Sequence, residues 1–320
     1  MASVIPPGLL VTSASSKQPL LDVAIAVCAA SQPQWRLIVG DTNRMAPTVL
    51  LAQETWIMPR FDEHAPESLL GELQARNIRG ILPTRDGELA AFARAARMFN
   101  DNGIAVMVGG VAAVEQCQDK LAFQIACERS AINAIPTFVS VEEIPEQFRE
   151  LVVKERVGAG SRGLALGVSR AEASVAAEGM HSPIFQPYIV GTEISVDVYS
   201  SSTAGFMGAV ARSRDLIVHG EAQVTTVLPH SAATTIARRV VEAVGLVGHA
   251  VVQLIDDGEK MHVIECNPRV GGASTLSLLV GLPSISWFLA EASGLDPRSI
   301  PFVAPVQPHR LVRAPKDAIL

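Results

Sequence analysis

The sequence predicts an α/β protein that opens on a doubly wound parallel sheet and continues into a mixed α+β unit. Two observations carry this reading. Short apolar runs alternate with helical patterns over residues 9–109, and strands alternating with helices at this spacing imply a parallel sheet. From Pro183 the texture changes to successive strands, ending in two runs joined by Asp257-Gly258, a hairpin signal.

The elements follow in order. LLVT (9–12) reads as a first buried strand, and a helix over Pro19–Ala30 follows the polar turn SASSK. RLIVGD (36–41) is a second strand. A helical pattern over Glu67–Arg76 precedes the short strand GILPT (80–84). A helix at 87–99 and a strand at 104–109 close this unit, placed at 1–112. Its first turn, Ser13 to Lys17, lacks the G-x-G-x-x-G that lets a backbone approach a pyrophosphate, which argues against NAD.

The second unit starts near Val114. Residues 119–131 read as a helix, 135–141 as extended, Glu142–Glu150 as a short helix and Arg170–Gly179 as another. Strands in 184–201, 205–213 and 222–229 follow, then a helix over 231–244. The paired runs HAVVQLID and KMHVIECN, a helix near 275–292 and a Pro-rich tail end the chain.

Composition excludes several classes. Hydrophobic residues make up 48% and charged residues 18%, ordinary for a globular chain with a large core. The net charge of -6 argues against nucleic acid as the main partner. The four cysteines are scattered without close metal-ligand spacing, which suits reduced thiols in a cytoplasmic setting. No signal peptide and no membrane span are read.

Two stretches carry chemistry. LVVKERVGAGSRGLALGV (151–168) holds G-x-G-x-x-G between two β-like runs. A dinucleotide fingerprint needs a helix after the glycines, and a Walker loop needs Lys-Ser/Thr, so both readings fail. What remains is a tight hairpin or a flap over phosphates, with Lys154 on the incoming strand. In VIECNPR (263–269), Glu265 and Asn267 point the same way on a strand. A carboxylate and an amide oxygen so placed suit Mg²⁺, and Arg269 just beyond suits a phosphoryl group or a carboxylate.

The order Asp119-Lys120, V-V-K with G-A-G-S-R-G, Q-P-Y-I-V-G-T-E and V-I-E-C-N-P-R resembles the ATP-grasp enzymes. The nearest likeness is to the carbamoyl-phosphate-synthetase-like branch that includes the pyrrolysine-pathway ligase. The resemblance implies a pre-ATP-grasp domain at 1–112, an N-lobe with a Gly-rich flap at 113–182, and a C-lobe with a Mg/ATP site at 183–320. It implies that Lys120 and Lys154 contact the nucleotide, that Gly158, Gly160, Ser161, Arg162 and Gly163 form the flap, and that Gln186, Tyr188 and Ile189 form the adenine hinge. Glu193 matches the ribose acceptor, Glu265 and Asn267 the magnesium ligands, and Arg269 the cation beside the phosphoryl group. Arg212, Arg214, His219 and Glu221 match the acceptor-side region.

Gln253 matches a further metal-side position. It shares a face with Glu265 only if the loop joining the two strands has an odd number of residues, so a loop of three or five residues is expected rather than a two-residue Asp257-Gly258 turn. Thr84, Arg85 and Asp86, at the carboxyl edge of the first sheet, and the equivalent first turn, Ser13 to Lys17, are alternative candidates for acceptor binding, with helix capping by Thr84 or Asp86 as the plain reading. The implied activity is ATP-dependent joining of a small-molecule carboxylate and an amine through an acyl phosphate, with ATP and Mg²⁺ as cofactors. A small-molecule kinase and a non-catalytic ATP-binding regulator are the alternatives. The sequence leaves room for a homodimer through the first domain.

Overall fold

Strand β1 (Gly8–Thr12) is buried along its whole length, as expected for a parallel strand covered on both faces. In the computed structural model, which describes residues 5–15, 17–61, 66–158, 163–218, 220–314, 317 and 318, it is the centre of a five-stranded sheet. α1 (Gln18–Ala30), β2 (Arg36–Asp41), α2 (Pro47–Leu51), β3 (Thr55–Ile57), α3 (Pro66–Ala75), β4 (Ile78–Leu82), α4 (Asp86–Asp101) and β5 (Ala105–Val106) complete this unit. The strand order is β3-β2-β1-β4-β5, with every pair parallel. The order reverses beside β1, so the carboxyl ends of β1 and β4 flank the switch point where such sheets present ligand-binding loops. The short β3 and α2 were not foreseen, because three residues at a sheet edge carry little pattern. β4 stops at Leu82 because Pro83 has no N–H for the ladder.

α5 (Val111–Gln118) and α6 (Lys120–Arg129) lead to a three-stranded antiparallel sheet, β7-β6-β8. It comprises β6 (Leu151–Glu155), β7 (Ala165–Val168) and β8 (Pro183–Pro187), with α7 (Arg170–Ala177) packed on it. The helix expected at 142–150 does not form. Arg170 donates to the carbonyls of Val141 (2.8 Å), Ile144 (2.6 Å) and Pro145 (2.8 Å), acceptors that a helix there would need, and Pro145 has no N–H to give.

β9 (Thr192–Ser201), β10 (Gly205–Val218), β11 (Glu221–Val227), α8 (Ala233–Ala243), β12 (Gly248–Asp256), β13 (Met261–Asn267), α9 (Thr275–Leu279), α10 (Ser284–Ala292) and β14 (Arg310–Val312) form the rest. Their sheet is antiparallel, in the order β13-β12-β9-β10-β11-β14. Alternation along β9 divides its side chains between two faces. Ile194, Val196 and Val198 pack with Ala237, Val240 and Val241 of α8. Glu193, Ser195 and Asp197 point the other way, on the face shared with Arg212, Gln253 and Glu265.

The single helix expected at 275–292 is two helices turned by 87°. Gly281 between them has φ +106°, a conformation other residues reach only with strain, and Pro283 cannot continue a ladder. No single helix among the described residues is long and apolar enough to cross a membrane. The break folds α9 and α10 back over the polar face, where Trp287, Phe288 and Leu276 join α1 residues Leu20 and Ala24 in one core. That shared core fixes the first unit against the six-stranded sheet.

Under this cover Asp197 is fully buried. It accepts from Arg212 Nε (2.8 Å), Ser277 Oγ (2.6 Å) and Ser274 Oγ, and faces His249 Nε2 at 3.2 Å. Burial alone would raise its carboxyl, but the Arg212 guanidinium, the His249 ring and the Ser274 hydroxyl outweigh that and hold it well below the usual carboxylate range. Removing one partner of a buried pair strands the other charge. Asp197→Asn should therefore lower unfolding stability by about 3–5 kcal/mol at pH 7, read from the urea midpoint. The folded value is depressed, so the contribution is complete above the unfolded value and fades as pH falls below about 4. The variant should accordingly show a flatter acid limb than the parent, and equal acid limbs would contradict this account.

Candidate functional site

The approach to the Gly-rich stretch is built on β6 and on the start of α6. Asp119 caps α6 by accepting from the backbone N–H groups of Leu121 (3.1 Å) and Ala122 (3.0 Å). The same carboxylate takes a bidentate pair from Arg156, at 2.8 Å from Nε and 2.6 Å from Nη2. Lys120, the first residue of α6, points its Nζ at the Gly158 carbonyl, 3.0 Å away. Gly163 closes the loop at φ +66°. Gly160, Ser161 and Arg162 lie outside the described residues, as does His219.

Lys154 is half-buried on β6, opposite Ile184. Burial, and secondarily the charge of Lys120, lowers its ammonium to about 8, while the Glu265 carboxylate pulls the other way.

The hairpin β12–β13 differs from expectation. Asp256 pairs with Met261, leaving an even loop of residues 257–260 rather than three or five. The register then shifts between Gln253 and Leu254: Leu254 pairs with Val263 but Gln253 with Glu265, so Ile264 is the extra residue of a β-bulge. The bulge supplies the parity that the loop withholds, and Gln253 shares a face with Glu265 and Asn267. Asn267 Nδ2 donates to Glu265 Oε1 at 3.0 Å. With its amide turned to suit its neighbours, Gln253 donates to the same oxygen (2.5 Å) and accepts from Arg214 Nη1 (3.0 Å). With their amides turned, Asn267 and Gln253 would set oxygens beside the Glu265 carboxylate, an all-oxygen donor set that suits a hard divalent cation such as Mg²⁺. Gln253 would have to release Arg214 to take part.

Arg269 follows on the same segment and forms a fork-to-fork pair with Asp86, 2.8 Å from Nε and 2.6 Å from Nη2. Asp86, Lys120, Gly158, Glu265 and Asn267 line one cavity of about 350 Å³ between the first unit and the sheet.

The tentative trio 84–86 is split by the structure. Thr84 is buried and its hydroxyl donates to the Thr12 carbonyl at 2.7 Å, tying β4 to β1, so it is not placed to meet a substrate. Arg85 lines a separate cavity of about 280 Å³ with Ser13, Ser15 and Asp41. Only Asp86 faces the cavity containing Glu265. Successive residues of a strand-to-helix turn point in different directions, which separates the three. Arg212 is likewise corrected: it is on the site face, but its guanidinium is sealed against Asp197 rather than open to an acceptor. Arg214 pairs with Glu193 at 2.5 Å, and Glu221 with Arg313 at 2.7 Å. Gln186 is buried and donates to Thr137 Oγ1 (2.7 Å), while Tyr188 is exposed beside Gly167 and Ile189 is half-buried.

Sequence reasoning missed Glu88, and it reached Lys17 only as the end of the first turn, Ser13 to Lys17. Glu88 is buried and accepts from Thr12 Oγ1 (2.7 Å), Ser13 Oγ (2.7 Å) and the Thr84 N–H (2.9 Å), clamping the ends of β1 and β4. Lys17 donates to the Thr84 carbonyl; burial and Arg269 lower it to about 8, against the pull of Glu88, Asp86 and Glu221. An acidic residue in the first turn of a helix was the available signal for Glu88, but it reads equally as a capping charge.

Residues 117–273 match the family model described as an ATP-grasp domain, and residues 9–107 match the PylC-like N-terminal domain. The carbamoyl phosphate synthase large chain of Thermus thermophilus is 24% identical over 312 residues, covering 89% of this chain but 30% of that relative. The chain thus spans under a third of the curated relative it matches. Among solved structures, the biotin carboxylase domain of Hydrogenobacter thermophilus 2-oxoglutarate carboxylase superposes with a TM-score of 0.72 at 15% identity, covering 93% of this chain and 73% of that one. An L-amino acid ligase from Bacillus licheniformis gives 0.69 at 16%, covering 94% and 79%. The ADP complex of N5-carboxyaminoimidazole synthetase from Staphylococcus aureus gives 0.66 at 15%, covering 91% and 78%. At these identities the superpositions establish a common fold.

The lowered lysines are directly measurable. Competitive acylation read by mass spectrometry should give midpoints near 8 for Lys17 and Lys154, because each is about half neutral there. A midpoint near the ordinary lysine value of 10.5 at either residue would refute its burial as described.

Proposed function

Because the chain belongs to the ATP-grasp proteins and carries a PylC-like N-terminal domain, we propose that it is an ATP-dependent ligase joining a carboxylate to an amine, with release of ADP and phosphate. The observation that carries this reading is the convergence of Lys120, Glu265 and Asn267 on one cavity, with the charges of Lys154 and Arg269 beside it. Phosphoryl transfer is mostly positioning and charge neutralisation, and these residues supply both.

On this reading Glu265 and Asn267 hold Mg²⁺, which when bound would neutralise charge between the phosphates. Lys154 and Lys120 bind the phosphate chain. A desolvated lysine interacts more strongly with an anion than a hydrated one does, so the burial of Lys154 favours binding. Glu193 takes the ribose hydroxyls, which requires it to loosen its pair with Arg214. Tyr188 and Ile189 line the adenine side, while Gln186 supports them through Thr137. The flap beyond Gly158 excludes water from the acyl phosphate. Arg269 meets the transferred phosphoryl group, and Glu221 and Arg214 border the acceptor.

The division at 1–112, 113–182 and 183–320 belongs to the same proposal, as does a homodimer through the first domain. So does a cytoplasmic location, which the four free, buried cysteines suit.

Phosphorus NMR with Mg-ATP and pooled amino acids is the test. ADP and phosphate appearing only with carboxylate and amine together would support the ligase, and a stable phosphoester without an amine would make it a kinase. Glu265→Ala should lose ATP turnover while its circular dichroism and melting profile stay near the parent's. ADP production retained by that variant would sink the metal assignment.

A further inference from the structure

The pair between Arg269 and Asp86 joins the two halves of the site. Asp86 is the first residue of α4 in the first unit, and Arg269 follows the strand that carries Glu265 and Asn267. Both N–H groups on the forked edge of the guanidinium are occupied by this carboxylate, and Nη1 reaches only the Val270 carbonyl at 3.5 Å. An arginine so engaged cannot present that edge to another anion. Asp86 itself lines the cavity with Glu265 and Asn267.

We propose that Asp86 is a positioning residue that stands in for the substrate: it holds Arg269 away from the phosphoryl group until an incoming carboxylate takes its place on the guanidinium. This rests on the ligase reading above. The exchange is carboxylate for carboxylate, with the same bidentate geometry and no change in net charge on Arg269. It is inexpensive to reverse for two reasons. The pair is partly open to water, with side-chain exposures of 19% and 22%, so an incoming carboxylate can reach the guanidinium and the pair's hold is weaker than that of a sealed one. Once displaced, Asp86 still lies in the first turn of α4, where the helix dipole favours negative charge, and close to Lys17. The consequence is that hydrolysis of ATP is suppressed while no carboxylate is bound. Release of Arg269 and arrival of the group to be phosphorylated become one event.

The test uses the whole chain and tripolyphosphate as a probe of the triphosphate site, measured by calorimetry with Mg²⁺. Asp86→Asn should bind the probe about tenfold more tightly than the parent, as expected if Arg269 is available about a tenth of the time in the parent. Asp86→Glu should return most of the restraint. The gain must vanish when Arg269→Ala is added to both backgrounds. If the gain persists without Arg269, it reflects only the loss of a nearby negative charge, and the proposal falls. The second measurement is phosphate release from Mg-ATP without added substrate, which should rise about tenfold in Asp86→Asn, a gain that structural damage would not produce. Unchanged or reduced hydrolysis with intact probe binding overturns the restraint but leaves the ligase reading standing. Failure of the parent to bind either Mg-ATP or the probe overturns the ligase reading and the restraint together.

Discussion

Everything at the site depends on one sheet having two unlike faces. The six-stranded sheet buries Ile194, Val196 and Val198 against α8, and strict alternation then forces Glu193, Ser195 and Asp197 to the opposite side. That side cannot be sealed by apolar packing alone. It is closed at one end by α9 and α10 and left open at the other, so one strand carries both a sealed carboxylate and a solvent-facing one. Asp197 sits where the cover is complete and Glu193 where it stops. The same carboxylate chemistry thus anchors the cover at one position and is available to solvent four residues earlier.

The cover does more than protect Asp197. Ser274 and Ser277 reach that carboxylate from the segment that follows Arg269, so the anchor also sets where Arg269 begins its reach toward Asp86. The shared core of Trp287, Leu276 and Leu20 brings the first unit to the same place. The cavity beside Glu265 is therefore a product of apolar packing between units as much as of the motifs that line it.

Much of this was legible in the sequence because periodicity reports on faces. The alternation of strands and helices to residue 109 gave the parallel sheet, and V-I-E-C-N showed which way Glu265 and Asn267 point. What was not legible depended on a third party. The helix expected at 142–150 lost its acceptors to Arg170, a residue 25 to 29 positions from them with no pattern linking the two. The break at Gly281 was visible as letters but not as a bend of 87°. The arginines of A-R-S-R looked equivalent, yet cover over one of them sends Arg212 to a structural role and Arg214 to the open end. Thr84, Arg85 and Asp86 were one candidate in the sequence and three separate fates in the structure.

The bulge at Ile264 has an engineering consequence. Because β12 is held on its other side by an unbroken ladder to β9, from Gly248 to Asp256, its placement does not rely on the turn that follows it. The β12–β13 register near the site is reset by the bulge rather than inherited from residues 257–260. The exposed tip at Asp257–Glu259 is thus uncoupled from Glu265 and Asn267 at the far end of the hairpin. Loop tips of this kind accept added chain at small entropic cost. This one offers an attachment point for a reporter peptide or a fluorophore, joined to the strand bearing Glu265 and Asn267 yet unable to shift their alignment.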